Sequence, residues 1–129
     1  MHKLFVLILF LCPFMAFAQK EEVILPSGLI VAASDEYGIF TWAEAKKKCE
    51  DKGYGWALPT NEELLDIYNN RESIKSITTG WYWSLTQDTS HFKASNDNYG
   101  LAWNLIFSNG SLVSNLKTYT LKARCVKHK

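Results

Sequence analysis

Beyond residue 18 this sequence has no long hydrophobic run. A membrane-crossing helix needs about 20 apolar residues, so none is expected in the bulk of the chain. An excess of one charge is missing too, with 14 Lys and Arg against 13 Asp and Glu. Without a basic surplus to neutralise phosphates, nucleic acid is not expected as a partner. No polybasic or basic amphipathic stretch points to a membrane surface. Histidine is scarce: past residue 18 only His91 and the near-terminal His128 occur. That is too few for a zinc cluster or a Ser-His-Asp set. A glycine-rich phosphate loop is absent. So are a CxxC pair and any internal repeat. The chain is expected to be neither an enzyme nor the holder of a metal or cofactor.

The N-terminus has a character of its own. His2 and Lys3 precede the apolar run Leu4–Leu11, and Ala16-Phe17-Ala18 follows. Those are the n-region, h-region and A-x-A site of a secretory signal peptide spanning 1–18. Phe10 and Leu11 are too large for a lipid-modified Cys12. Loss of this segment removes Lys3 and no acid, so 13 basic residues face 13 acidic ones. The expected location is periplasmic or extracellular, with no stable membrane insertion after cleavage. Residues 19–39 read as a leader and first strands, and 40–129 as the main part of a single unit.

Export leaves an even cysteine pair, Cys49 and Cys125, in an oxidising compartment. This predicts a disulfide across a separation of 76 residues; the alternative is two buried free thiols.

Punctuation then marks the elements. Val23–Leu25 and Leu29–Ala33 are strand candidates around the turn Pro26-Ser27-Gly28. Thr41 and Glu44 form a T-x-x-E capping box, Trp42, Ala45 and Cys49 recur at helical spacing, and Gly53 stands past the last turn. A helix is expected over Trp42–Lys52. A second box, Thr60 to Glu63, opens a helix over Asn61–Asn69. Gly53–Pro59 between them reads as a connection. Trp81–Leu85 is strand-like, and Thr86–Asn98 reads as a long polar loop. Leu101, Trp103, Leu105 and Phe107 alternate with Ala102, Asn104, Ile106 and Ser108, the period of a half-buried strand. Asn109-Gly110 signals a hairpin returning through Ser111–Val113. A polar link, Ser114–Thr118, leads to a last strand, Tyr119–Lys127. Helices followed by antiparallel strands make an α+β fold.

Several of these segments carry a further pattern. Thr41-Trp42-Ala43-Glu44-Ala45, Cys49, then Trp56-Ala57-Leu58-Pro59-Thr60 and Glu63-Leu64 resemble the "TWxxAxxxC…WRLPTxxEL" half of the Lcl carboxy-terminal domain family. Tyr82-Trp83-Ser84 resembles its "YWSS". Ala102-Trp103 through Gly110 resembles its "AWxxxFxxG", and Arg124-Cys125-Val126 its "VRCVR". The resemblance covers roughly residues 40–127. It implies a C-type-lectin-like fold, with two helices packed on a small antiparallel sheet, long polar loops, and the 49–125 disulfide joining the first helix to the last strand. Trp42, Trp56, Leu58, Trp83 and Trp103 would then be core. Ala57 in place of Arg, Leu85 in place of Ser and Ala123 in place of Val depart from the pattern, and the first removes a possible structural ion pair.

Lectin-like folds bind through loops above the sheet, here 86–98 and 108–118. Asp88, His91, Asn96, Asp97, Asn98, Asn104 and Asn115 are the candidate ligand contacts, because amides and carboxylates beside Tyr99 and Trp103 suit sugar hydroxyls and sugar rings. Calcium is not expected. The chain lacks a Glu-Pro-Asn loop, Leu105 follows Trp103-Asn104, and two loop acids fall short of the six to eight oxygens calcium takes. The expectation is a binding module for a glycan or a protein partner, with a structural or assembly role in the cell envelope as the alternative.

Overall fold

The computed structural model describes residues 22–74, 76–77, 79–91 and 96–128. The signal-peptide reading of 1–18 and positions 92–95 of the expected loop lie outside that range.

Two short helices form where their caps dictate. In α1, Trp42–Glu50, Thr41 Oγ1 accepts from the Glu44 N–H at 3.3 Å, and Glu44 Oε1 accepts from the Thr41 N–H at 2.8 Å. In α2, Asn61–Asn69, Thr60 and Glu63 repeat this exchange at 3.3 and 2.9 Å. Each box satisfies two donors that a helix start leaves unpaired. Helix α1 ends two residues before the expected Lys52. The chain then turns through Gly53, whose φ of +80° suits glycine.

The strands are β1 Val23–Ile24, β2 Ile30–Val31, β3 Trp56–Ala57, β4 Trp81–Asp88, β5 Leu101–Ile106, β6 Ser111–Leu116 and β7 Val126–Lys127. They make two antiparallel sheets rather than the single one expected, ordered β1-β2-β7-β3 and β4-β5-β6. Four strands of the first sheet are two residues long, too short to show a period of two. The Gly53–Pro59 connection therefore hides strand β3. The expected last strand, Tyr119–Lys127, is mostly extended chain: Leu121 bridges Phe40, Lys122 bridges Tyr82, and only β7 joins a sheet.

Two corrections concern the second sheet. Strand β4 runs on to Asp88 and β6 to Leu116, so parts of both expected loops are strand. The reading of β5 as buried on one face also fails. Ala102 and Asn104 are as fully buried as Leu105. Both faces of β5 thus carry core residues, and alternation in the sequence cannot reveal a second packed face.

On one face Tyr82, Leu105 and Phe107 pack with Leu64 and Ile67 of α2. On the other, Trp83 and Ala102 pack with Trp42, Ala45, Cys49, Leu58 and Cys125. The Cys49–Cys125 disulfide is formed, with Cα atoms 5.4 Å apart, and ties α1 to the segment entering β7. Trp42, Leu58 and Trp83 are buried; Trp56 and Trp103 are only half-buried.

A bulge in β4 joins the layers. The register moves by two residues between Trp83 and Gln87, so backbone groups there leave the ladder. The Leu85 N–H donates to the Pro59 carbonyl at 2.7 Å, and the Ser84 carbonyl accepts from the Trp42 indole N–H at 2.7 Å. Thr86 Oγ1 accepts from the Asn61 N–H at 3.1 Å. Both helix starts thus dock on one irregularity. At the hairpin, Gly110 has φ +77°, and a Cβ there would lie 2.6 Å from the Tyr68 ring. Close packing of α2 on the turn therefore requires glycine.

Candidate functional site

Alternation along β4, β5 and β6 decides which predicted residues can meet. Asp88, Trp103 and Ser114 share the α2 side of the sheet, whereas Gln87, Asn104 and Asn115 share the α1 side. The candidates therefore divide between two faces.

On the first face Asp88 pairs across the ladder with Leu101, and Ser114 with Trp103. Ser114 Oγ donates to Asp88 Oδ2 at 2.7 Å, so the two side chains clasp across β5 on the face that Trp103 shares. Asp88 Oδ1 accepts from the Ser90 N–H at 3.0 Å and from Ser90 Oγ at 2.7 Å. With the Ser90 proton given to Asp88, the 2.9 Å contact from His91 Nδ1 to Ser90 Oγ calls for an Nδ1–H donor on His91. Hydrogen bonds from Ser90 and Ser114 lower the Asp88 pKa from 3.8 to about 2. The carboxylate, 9% exposed, thus stays ionised and fixed in direction, with one acceptor site left.

Folding is consequently linked to this proton. The stabilisation is complete above the unfolded carboxyl's pKa of about 3.9 and is lost as pH falls toward the folded value. Acid unfolding curves of the wild type should show stability dropping between about pH 4 and about pH 2. Asp88→Asn should flatten that part of the curve, and an unchanged slope in the variant would contradict the assignment.

On the second face the polar residues mostly serve the fold. Asn104 is fully buried between Trp83 and Val113, and neither atom of its amide meets a hydrogen-bond partner among the described residues. No external ligand reaches it, contrary to the sequence expectation. Asn115 is half-buried, with its Nδ2 shielded in the same way.

Asn96, Asp97 and Asn98 form an exposed turn in which Asn96 Oδ1 accepts from the Asn98 N–H at 2.9 Å. Two lysines draw this turn toward α1. Lys46 pairs with Asp97 at 3.2 Å, and Lys117 Nζ donates to the Asn96 carbonyl at 3.2 Å and to Gln87 Oε1 at 2.6 Å. Lys117 is 2% exposed, and its ammonium lies 4.4 Å from the centre of the Trp42 ring. Burial lowers its pKa, with Asp97 opposing and Lys46 adding to the shift.

Sequence reading missed Ser90, Ser114 and Lys117. Each looked like an ordinary loop residue until the strand register was known. The signal for Lys117 was its place in a chain segment returning beside Trp42, which no local pattern shows.

Near the clasp the surface is aromatic and apolar. Tyr99 is 65% exposed, Tyr119 50% and Leu116 44%. Their backbones adjoin, since Lys117 N–H donates to the Gly100 carbonyl and Tyr119 N–H to the Leu116 carbonyl, both at 3.0 Å.

An open groove of about 650 Å³ lies elsewhere, between the Ser27–Gly28 turn and α2, with Glu62, Glu63, Asp66 and His128 on its walls. Two of its carboxylates have partners within the fold. Glu63 is engaged by the Thr60 N–H and His128, and Asp66 by Ser27 and Asn70. Among the described residues, no group of three or more His, Cys, Asp and Glu is placed to hold a metal, and no helix is long and apolar enough to cross a membrane. The disulfide is compatible with export.

The class these features define is an α+β domain with two helices, two antiparallel sheets and one disulfide. No family model matches the chain, and no curated protein matches it.

Proposed function

We propose that this chain is an exported, non-enzymatic binding module of the C-type-lectin-like kind, akin to the Lcl carboxy-terminal domains, and that it takes a glycan on the Trp103 face of the second sheet. One observation carries the reading: a half-buried indole shares a sheet face with a carboxylate that Ser90 and Ser114 hold ionised and fixed in direction. A sugar offers the matching chemistry. Its apolar ring face stacks on an indole, while its hydroxyls donate to a charged acceptor, a hydrogen bond stronger than a neutral one. Exposed His91 adjoins the carboxylate through Ser90, and exposed Tyr99 stands two residues before β5.

Glycan-array screening of the oxidised protein tests this directly. A bound glycan is expected to quench or shift tryptophan fluorescence. Trp103→Ala and Asp88→Asn should each weaken binding by about tenfold or more, which corresponds to ~1.4 kcal/mol. Trp103 is only half-buried and Asp88→Asn keeps the shape of its buried side chain, so the variants should remain folded by circular dichroism. An array without hits, or hits indifferent to both substitutions, defeats the proposal.

A further inference from the structure

Strand β6 ends its sheet. No strand pairs with its outer side among the described residues, whereas the far side of β4 is bridged by Lys122. Its six residues, Ser-Leu-Val-Ser-Asn-Leu, include no charge and no proline, and its register with β5 is unbroken from Ser111 to Leu116. Edge strands in monomeric proteins are ordinarily guarded by charge, proline, a bulge or a covering loop. The first three are missing here.

The ladder shows which backbone groups are open. Because Lys117 N–H donates to the Gly100 carbonyl, pairs in step with it are hydrogen-bonded: Ala102 with Asn115, Asn104 with Val113, Ile106 with Ser111. The N–H and C=O groups of Leu112, Ser114 and Leu116 therefore point away from β5; the Leu116 carbonyl already accepts from the Tyr119 N–H at 3.0 Å and keeps one lone pair for a second donor. These three positions are symmetric about Ser114. Antiparallel pairing of two β6 strands about a two-fold axis at Ser114 sets these groups against one another, with the Leu116 carbonyl taking a second donor beside the Tyr119 N–H. It places Leu112 of one chain opposite Leu116 of the other, and Ser114 opposite itself. Leu116, 44% exposed in the single chain, would then gain an apolar cross-strand neighbour. An isologous contact of this kind closes on itself and does not propagate.

The geometry points to a homodimer in which two β6 edges join the three-stranded sheets into one of six strands. The occupant of the edge is a second copy of this chain. The inference does not rest on the glycan reading. If both hold, the dimer sets two Trp103 faces on one continuous sheet, which favours multivalent ligands.

Residue-resolved hydrogen exchange on the oxidised protein, paired with sedimentation, decides the matter. On passing from dilute to concentrated samples, a dimer should appear, and the amides of Leu112, Ser114 and Leu116 should exchange about tenfold more slowly or better. The Val113 and Asn115 amides, already bonded to β5, should change far less. Leu116→Lys, at an exposed position, should keep the fold and remain monomeric, because each copy would set an ammonium against Leu112 of the other. Should that variant unfold, the wild-type exchange pattern still decides. A monomer at every concentration overturns the proposal. So does a dimer that leaves those three amides fast, or slow exchange already present in the monomer.

Discussion

Reducing the Cys49–Cys125 disulfide should lower the melting temperature by about 15–25 °C. The bond closes a separation of 76 residues, for which the chain-entropy model gives roughly 4–5 kcal/mol, although how that divides between entropy and enthalpy depends on the model. For a domain of roughly 100 residues, 1 kcal/mol is worth about 4–8 °C. The estimate takes the lower end of that range, because reduction leaves two thiols in an apolar cluster that still packs. Both cysteines are fully buried, with Trp42, Ala45, Leu58 and Trp83 in the same cluster. Total stability of such a domain is about 5–15 kcal/mol, so the reduced protein should be folded but marginal at physiological temperature. Thermal melts of oxidised, reduced and Cys49→Ser/Cys125→Ser protein measure this. A fall below about 5 °C would mean that the packing alone constrains the chain.

Comparable damage is expected from Asp35→Ala. Arg124 is 1% exposed and sits two residues before β7. Its Nε donates to the Ala32 carbonyl at 2.9 Å and its Nη1 to Asp35 Oδ1 at 2.8 Å. The other Asp35 oxygen accepts from the Tyr82 hydroxyl at 2.7 Å. One carboxylate thus joins the segment after β2, the start of β4 and the final segment of the chain. Removing it takes this counter-charge from a buried guanidinium, which keeps the Ala32 and Ser76 carbonyls, at a cost of about 3–5 kcal/mol. The double variant Asp35→Ala/Arg124→Met should recover much of that loss, because a buried pair replaced as a whole by apolar groups is often neutral. Urea unfolding of the wild type, both single variants and the double variant closes the cycle. If Asp35→Ala costs less than about 1 kcal/mol, the pair is not holding the segments together.

Both effects show what local patterns reveal. The two helices were legible because capping is a four-residue code: Thr41 with Glu44, and Thr60 with Glu63, act within one helical turn. The hairpin at Asn109-Gly110 was legible for the same reason, although its loop takes in Phe107 and Ser108 as well. The disulfide followed from counting cysteines. Trp42 and Trp83 were rightly placed in the core, whereas Trp103 was placed there too and is half-exposed, since an indole fits a core and a binding face equally well.

The candidate site was half visible. Asp88 was singled out as a loop acid, yet it is a strand residue whose orientation comes from Ser114, 26 positions away. Asn104 was grouped with it by composition, but β5 turns its side chain into the opposite face, between two core layers. Lys117 looked like linker and is one of the most buried polar residues described.

By itself, then, the sequence determined where the helices start, which cysteines pair and that the class is α+β, because each of these depends on neighbours along the chain or on a count. Only the tertiary structure decided that there are two sheets, that β5 carries core residues on both faces, and which polar side chains share a surface. Those outcomes depend on strand register and on a two-residue bulge in β4. A register is a relation between segments that meet only when the chain is packed, and a shift of one residue would turn every side chain to the other face.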